Sequence, residues 1–391
     1  MSTATKIEWT DRTWNPVRGC SRVSPGCDEC YAMKFAHRFS GPGKPYEGLT
    51  TLRRGKVDWT GVARFIPEAL AEPLSWRKPQ RVFVNSMSDL FHHSLTNEEI
   101  AAVFGVMAAC PHLTFQVLTK RPARMLEWFG WHKMQADADG EPWIPIIREA
   151  VSSLPEKLSE RLVEDGCARD GVPELEPWPL PNVWLGVSTE NQQTADERIP
   201  LLLRCPAAVR FVSAEPLLGP LELQRALQAE RCRSISPHAP RLRCGLPAGH
   251  EEYHNHTVLM ETGSPWFGPS PIDWVIVGGE SGPGARRSHL DWFDSIVDQC
   301  GAAQVPVFVK QLGAYPGRVL PEGIEGHVTG PVKWAALRAD GLVVEHLPLR
   351  DRKGGDWEEW PEHLRVREFP PGPRGGLTPS RNEAAIVRYR R

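Results

Sequence analysis

Arg81-Val-Phe-Val-Asn85, Ser86-Met-Ser-Asp89 and Thr96-Asn-Glu-Glu99 stand close in succession, and their order decides the fold. The first is a compact strand of β-branched and aromatic residues. The second is a polar mouth. The third is a capping box, in which Thr96 covers orphan amides and Glu99 reaches back to the cap. Ile100, Val103, Phe104 and Met107 then share one helical face. Strand, polar turn and amphipathic helix together make one β–α unit.

The unit repeats along the chain. Leu113-Thr-Phe-Gln-Val-Leu118 is a strand that ends in Thr119-Lys120-Arg121-Pro122, and a helix begins over 123–129. Asn182-Val-Trp-Leu-Gly-Val-Ser188 is the next strand, with Thr194 and Glu197 as a capping box before Ile199, Leu202 and Leu203. Val209-Arg-Phe-Val-Ser213 ends in Ala214-Glu215-Pro216. Ile272-Asp-Trp-Val-Ile-Val277 leads into Gly278-Gly-Glu-Ser-Gly282, and Ser288 to Asp291 caps a helix carrying Phe293, Ile296 and Cys300. Val305-Pro-Val-Phe-Val-Lys310 follows. With a strand over 13–18 the count reaches six or seven.

Such alternation means parallel strands joined by crossover helices. The expected class is α/β, an open or incomplete (β/α) parallel barrel of six or seven strands with two insertions. A doubly wound sheet is the alternative. The chain divides into 1–129 (first half of the barrel), 130–181 (a proline-rich insertion), 182–223 (barrel), 224–271 (a Cys/His insertion), 272–317 (end of the barrel) and 318–391 (a loosely packed, Pro- and Gly-rich extension). The 391 residues suffice for one large domain with insertions, or for two domains.

In either architecture function gathers at the carboxyl ends of the strands. Ser86, Asp89, Lys120, Ser188, Glu190, Glu215 and Glu280 all follow strands, as does the loop Arg18-Gly-Cys-Ser-Arg-Val-Ser-Pro-Gly-Cys-Asp-Glu-Cys-Tyr31. Nine cysteines occur in the chain, and Cys20, Cys27 and Cys30 cluster in this loop. After it, Ala32, Phe35, Ala36 and Phe39 recur at helical spacing. The N-terminus lacks an apolar signal core, so the expectation is a cytoplasmic protein whose clustered cysteines bind metal. No apolar run reaches membrane-spanning length, so no membrane partner is expected. The formal charge of −2 argues against a protein living on phosphate contacts alone. Three thiolates can wrap one face of a 4Fe–4S cubane, leaving an iron open for a bidentate amino-carboxylate. A zinc knuckle completed from afar and an inert loop are the other readings of the spacing.

A resemblance bears on that choice. Trp14-Asn-Pro-Val-Arg-Gly-Cys20, Ser24-Pro-Gly-Cys27, Cys30-Tyr-Ala32, Val84-Asn-Ser-Met-Ser-Asp-Leu-Phe91 and Val117-Leu-Thr-Lys-Arg-Pro122 look like motifs of a phage-encoded family of radical S-adenosylmethionine proteins. So do Trp184-Leu-Gly-Val-Ser188, Glu215-Pro-Leu-Leu218 and Val275-Ile-Val-Gly-Gly-Glu-Ser281. That family is similar in motif order to spore photoproduct lyase. The resemblance covers about 14–129, 182–221 and 272–313. It implies a radical S-adenosylmethionine enzyme that cleaves this cofactor reductively and abstracts hydrogen from its substrate. It also implies a reductase or other electron donor as partner, and suggests nucleic acid as substrate. Lys120 matches a lysine near the cofactor carboxylate, and Ser188 a polar residue near the ribose or amino group. Ser86, Asp89 and Glu215 are further cofactor-binding candidates. The sequence departs from the superfamily's usual spacing, with six residues instead of three between the first two cysteines.

A second metal candidate is Cys232, Cys244, His250 and His254, whose two thiols and His-x3-His pair suit a structural zinc. It supports the rival reading of a zinc-dependent nucleic-acid-binding protein without catalysis. Arg121, Arg124, Arg286, Arg287 and Lys310 lie near strand ends, where they could meet phosphates.

Overall fold

The computed structural model describes residues 5–159, 178–227, 272–319, 335–337 and 343–370. Cys232, Cys244, His250 and His254, with the rest of 228–271, and residues 160–177 of the first insertion lie outside the described residues.

Seven parallel strands form one sheet: β1 (Arg12–Trp14), β2 (Arg81–Val84), β3 (Thr114–Thr119), β4 (Val183–Ser188), β5 (Val209–Ala214), β6 (Trp274–Gly278) and β7 (Val307–Gln311). Their spatial order is their chain order. A doubly wound sheet must reverse direction at a switch point, and here none exists. The sheet curls as an open half-barrel, with β1 and β7 at its two free edges. Register keeps like faces together: Trp14 lies opposite Val84, Val84 opposite Val117, and Val117 opposite Leu185.

The two faces bury different residues. Val82, Val117, Leu185, Val212, Val275 and Val309 join the core under the helices. Phe83, Trp184, Phe211, Trp274, Ile276 and Phe308 point the other way and, with Trp9, fill the base of the concave side. Strands buried on both faces have near-continuous apolar runs, which explains why they stand out in the sequence. Above this aromatic base the inward positions turn polar or small, at Gly186, Ser188, Ser213 and Gly278.

Six helices matter for the site: α1 (Tyr31–His37), α2 (Asn97–Ala108), α3 (Pro122–Asp139), α4 (Ile144–Ser153), α5 (Gln192–Leu203) and α6 (Leu290–Ala303). The Thr96–Glu99 capping box forms as expected, with Glu99 N–H on Thr96 Oγ1 at 3.2 Å and Thr96 N–H on Glu99 Oε2 at 2.9 Å. At α5 the cap lies three residues earlier than expected. Asn191 accepts from Thr194 N–H at 3.0 Å, because Asn caps as well as Thr and stands next to the strand end. Helix α6 starts after His289 without a side-chain cap. Helix α3 runs on through 130, the boundary drawn for the first insertion, because Met125, Phe129 and His132 continue one buried stripe.

Two other features have clear causes. The segment 44–62, whose sequence has little periodicity, contains a hairpin of Thr50–Arg53 and Lys56–Trp59 around Arg54-Gly55. Its two strands are too short and polar for a periodic signal. The 347–370 part of the extension is packed, not loose: Trp360 and Leu364 are buried in the main core. Arg367 bridges Phe308 on β7, and Phe369 lies 5.4 Å from the Trp274 ring. Arg81 of β2 sits 4.0 Å above that same Phe369. This segment therefore spans the gap between the open edges. Among the described residues, no helix is long and apolar enough to cross a membrane.

Candidate functional site

The cysteine loop lies over the carboxyl ends of the strands and is fastened to four of them. Gly19 opens it with φ +88°, and a Cβ there would meet Val62 O at 2.3 Å. A left-handed backbone in close contact accepts only glycine. Asn85, itself at φ +59° after β2, accepts Val17 N–H on Oδ1 at 3.3 Å. Ser88 Oγ donates to Val17 O at 2.9 Å. Tyr31 Oη donates to Ser86 O at 2.7 Å. From β3, Arg121 donates through Nη2 to Ser21 O at 3.0 Å and to Ser21 Oγ at 2.7 Å. His92 Nε2 sits 2.9 Å from the same hydroxyl.

The fastening from β4 is a buried carboxylate. Glu190 is fully buried and accepts Ser24 Oγ–H at 2.7 Å. Arg198 of α5, only 5% exposed, lies 3.2 Å from Glu190 Oε2. A Cβ on Gly26 would meet Glu190 Oε1 at 2.3 Å, so the loop rests directly on this side chain. From the turn after β6, Glu280 holds Arg286 through two oxygens, at 2.7 and 2.9 Å. Arg286 in turn donates to Pro25 O at 2.8 Å. Lys34 of α1 bonds Glu29 and reaches Pro283 O at 3.2 Å.

Cys20, Cys27 and Cys30 are all partly exposed free thiols. Burial pushes the Cys20 thiol up to about 12, with the Asp89 carboxylate adding to the rise and Arg121 opposing it. Burial raises the Cys30 thiol too, against the amides of Met33 and Ala32 and the charge of Lys120, which favour thiolate. Among the described residues, no three His, Cys, Asp or Glu side chains are grouped so as to hold a metal ion.

The expected cofactor residues separate into two sets. Lys120 and Ser188 meet: Nζ donates to Ser188 Oγ at 2.6 Å, and Nζ lies 3.7 Å from Glu190 Oε1. Ser188 Oγ donates to Glu215 O at 2.8 Å. Glu215 Oε1 pairs with Lys310 Nζ at 3.0 Å, and its Oε2 accepts from Ser213 Oγ at 3.2 Å. These groups line the polar layer above the aromatic base. Asp89 and Ser86 belong to the framework instead. Asp89 accepts Phe91 N–H at 3.0 Å, Thr119 Oγ1–H at 2.7 Å and Lys120 N–H at 3.1 Å, so its oxygens are committed to joining β2 and β3. Ser86 Oγ donates to Asn15 Oδ1 at 3.2 Å.

The Gly278-Gly279 turn is closed by its own backbone, with Gly279 N–H bonded to Gln311 O at 2.9 Å. Its glycines are needed for packing: a Cβ at 279 would meet Leu312 O at 2.2 Å. Four of the five strand-end cations are engaged within the protein, and Arg287 is exposed. Arg121 takes Ser21, Arg124 takes Asn97 Oδ1 at 2.6 Å, Arg286 takes Glu280, and Lys310 takes Glu215. Arg198 and Ser24 are site residues that sequence reasoning misses. Arg198 carries a usable signal, a charge directly before the apolar Ile199, which asks for a buried partner. Ser24 carries none.

No curated protein and no solved structure matches the chain. Residues 4–344 match a family described as proteins of unknown function, DUF5131. That match spans most of the chain, and the protein belongs to the DUF5131 family.

Proposed function

We propose that the protein is a radical S-adenosylmethionine enzyme that holds a 4Fe–4S cluster on Cys20, Cys27 and Cys30. The observation that carries this reading is one loop of three partly exposed thiols, fastened over the carboxyl mouth of a parallel half-barrel beside Lys120 and Ser188.

The residues present suit the group. Three free thiols on one loop supply the donor set that three irons of a cubane take, one thiolate each. Asn85 Nδ2 and Thr189 Oγ1, at the ends of β2 and β4, are buried without a protein partner. Buried polar atoms of this kind are satisfied by water or ligand.

Bound there, such a cluster would supply the electron that cleaves the sulfonium of S-adenosylmethionine reductively. The protein's residues position and exclude. Lys120 offers an ammonium to the methionine carboxylate. Ser188 presents a hydroxyl at the ribose or amino group, and the carboxylate of the neighbouring Glu215 is held by Lys310. Trp184, Phe211 and Trp274 close the base of the cavity to water. Glu190, Arg121 and Arg286 keep the cysteine loop in place.

Reductive cleavage of S-adenosylmethionine by the anaerobically reconstituted protein tests the proposal. Methionine and 5′-deoxyadenosine should form with dithionite, and Lys120→Ala should raise the half-saturating S-adenosylmethionine concentration about tenfold, the worth of one charge-assisted contact. An iron-loaded protein that leaves S-adenosylmethionine intact would contradict it.

A further inference from the structure

Helix α1, directly after Cys30, has two faces. Ala32, Met33 and Ala36 are buried with Tyr46, Leu49 and Trp59 of the adjoining hairpin region. The opposite face, continued into the turn after His37, leaves three aromatic rings in solvent: Tyr31 at 58%, Phe35 at 45% and Phe39 at 41% exposure. Their spacing of four residues lines them up along the helix. Phe35 and Phe39 lie 5.0 Å apart with planes tilted by 45°. The Tyr31 hydroxyl is fixed to Ser86 O at the end of β2, so the row starts at the mouth of the barrel and runs outward.

Charge accompanies the rings. Residues 31–64 carry seven Lys/Arg against two Asp/Glu, a net +5 in a chain whose total is −2. Arg38, Lys44, Arg54 and Lys56 are exposed, and none of them has a carboxylate at salt-bridge distance among the described residues. This contrasts with Arg121, Arg124, Arg286 and Lys310 at the strand ends, which are engaged inside the protein. Exposed large aromatics cost hydrophobic free energy when they have no partner. Exposed rings and unpaired cations within one segment are the parts that bind single-stranded nucleic acid, where bases stack on rings and phosphates meet cations without sequence readout.

We propose that α1 and the adjoining hairpin form a stacking platform for single-stranded nucleic acid and present it to the mouth of the barrel. That the strand is the substrate rests on the radical reading above. That the platform binds it does not. The near-neutral total charge is no obstacle, since binding draws on the local excess.

Fluorescence anisotropy with a labelled mixed-sequence single-stranded oligonucleotide, DNA and RNA in separate titrations, tests the platform on the full-length protein. Binding should weaken as salt rises. Phe35→Ala with Phe39→Ala should lower affinity roughly tenfold or more and leave the salt slope unchanged, because stacking releases no counterions. Lys44→Ala, Arg54→Ala and Lys56→Ala together should make the log–log salt slope shallower by about 2, at about 0.7 for each phosphate no longer neutralised. Circular dichroism and iron content should be unchanged in both variants, which separates a failed platform from a failed cluster. The proposal is overturned if neither oligonucleotide binds in low salt. It is equally overturned if the ring variant binds as tightly as the parent, or if polyglutamate of matched charge binds as well as the oligonucleotide. The last result would mean a docking face for an acidic protein.

Discussion

Gly26 shows how closely the cysteine loop fits its support. Its missing side chain lets the backbone lie on Glu190, and a Cβ would come within 2.3 Å of Oε1. Gly26→Ala should cost about 1–3 kcal/mol as overpacking, and most of the bound iron should be lost, read by iron assay and by thermal unfolding. His132 makes a separate residue-scale prediction, away from the loop. It is buried against Trp128 and Trp178, with Nε2 2.7 Å from Pro142 O. That hydrogen bond requires a proton on Nε2 and leaves the ring neutral. Burial pushes its pKa down from 6.5 to about 4, against the smaller opposing effect of the Pro142 carbonyl. The unfolded chain takes up a proton near pH 6.5, and the folded one only near 4. The contribution of His132 to stability is therefore complete above about pH 6.5 and is lost as pH falls toward 4. Urea unfolding at pH 7 and pH 5 should show this loss, and His132→Gln should reduce the difference between the two.

At this scale the sequence is legible where chemistry repeats a known pattern. The three cysteines stand out in it as a cluster, and Lys120 and Ser188 each as a polar residue at a strand end. Lys120 and Ser188 are 68 residues apart and are joined only by the rule that strand ends share one mouth. Asp89 is legible as a site residue but not in its role. Its hydrogen bonds run to Thr119 and Lys120 of the next strand, and no local pattern carries that information.

The elements follow local rules with few exceptions. The capping box of α2 forms because its two residues satisfy each other without outside help. Thr96→Ala should lower stability by about 1 kcal/mol, read as a drop in denaturant midpoint with an unchanged m-value. Helix α5 begins earlier than Thr194 because Asn191 competes for the cap. Helix α1 is the element whose exposed face needs an explanation outside the chain. A short helix with apolar residues on both sides gives no clean period, so sequence alone puts Phe35 and Phe39 on the same apolar row as Ala32 and Ala36. The alanines are buried, and both rings are in solvent.

For the whole molecule, strand order is the decisive fact. Sequential parallel strands place every strand end on one rim, so residues from Cys20 to Lys310 meet there. The strand count is readable from apolar runs. What bridges the open edges is not, because Trp360, Leu364 and Phe369 come from a Pro- and Gly-rich tail without periodicity. They act by packing on strands more than fifty residues away. Trp360 is 2% exposed, and its indole N–H bonds Gly354 O at 2.9 Å. Trp360→Ala should cost about 3–5 kcal/mol, measured by urea unfolding, and should loosen the whole half-barrel rather than the tail alone.

The most direct test of the account is iron and sulfide per chain after anaerobic reconstitution, in the parent and in Cys20→Ala, Cys27→Ala and Cys30→Ala. The account predicts one 4Fe–4S cluster in the parent, with broad absorption that S-adenosylmethionine perturbs, and its loss in each variant while the fold persists. Stoichiometric zinc on these three thiols without iron uptake, or a cluster that survives their removal, would contradict it.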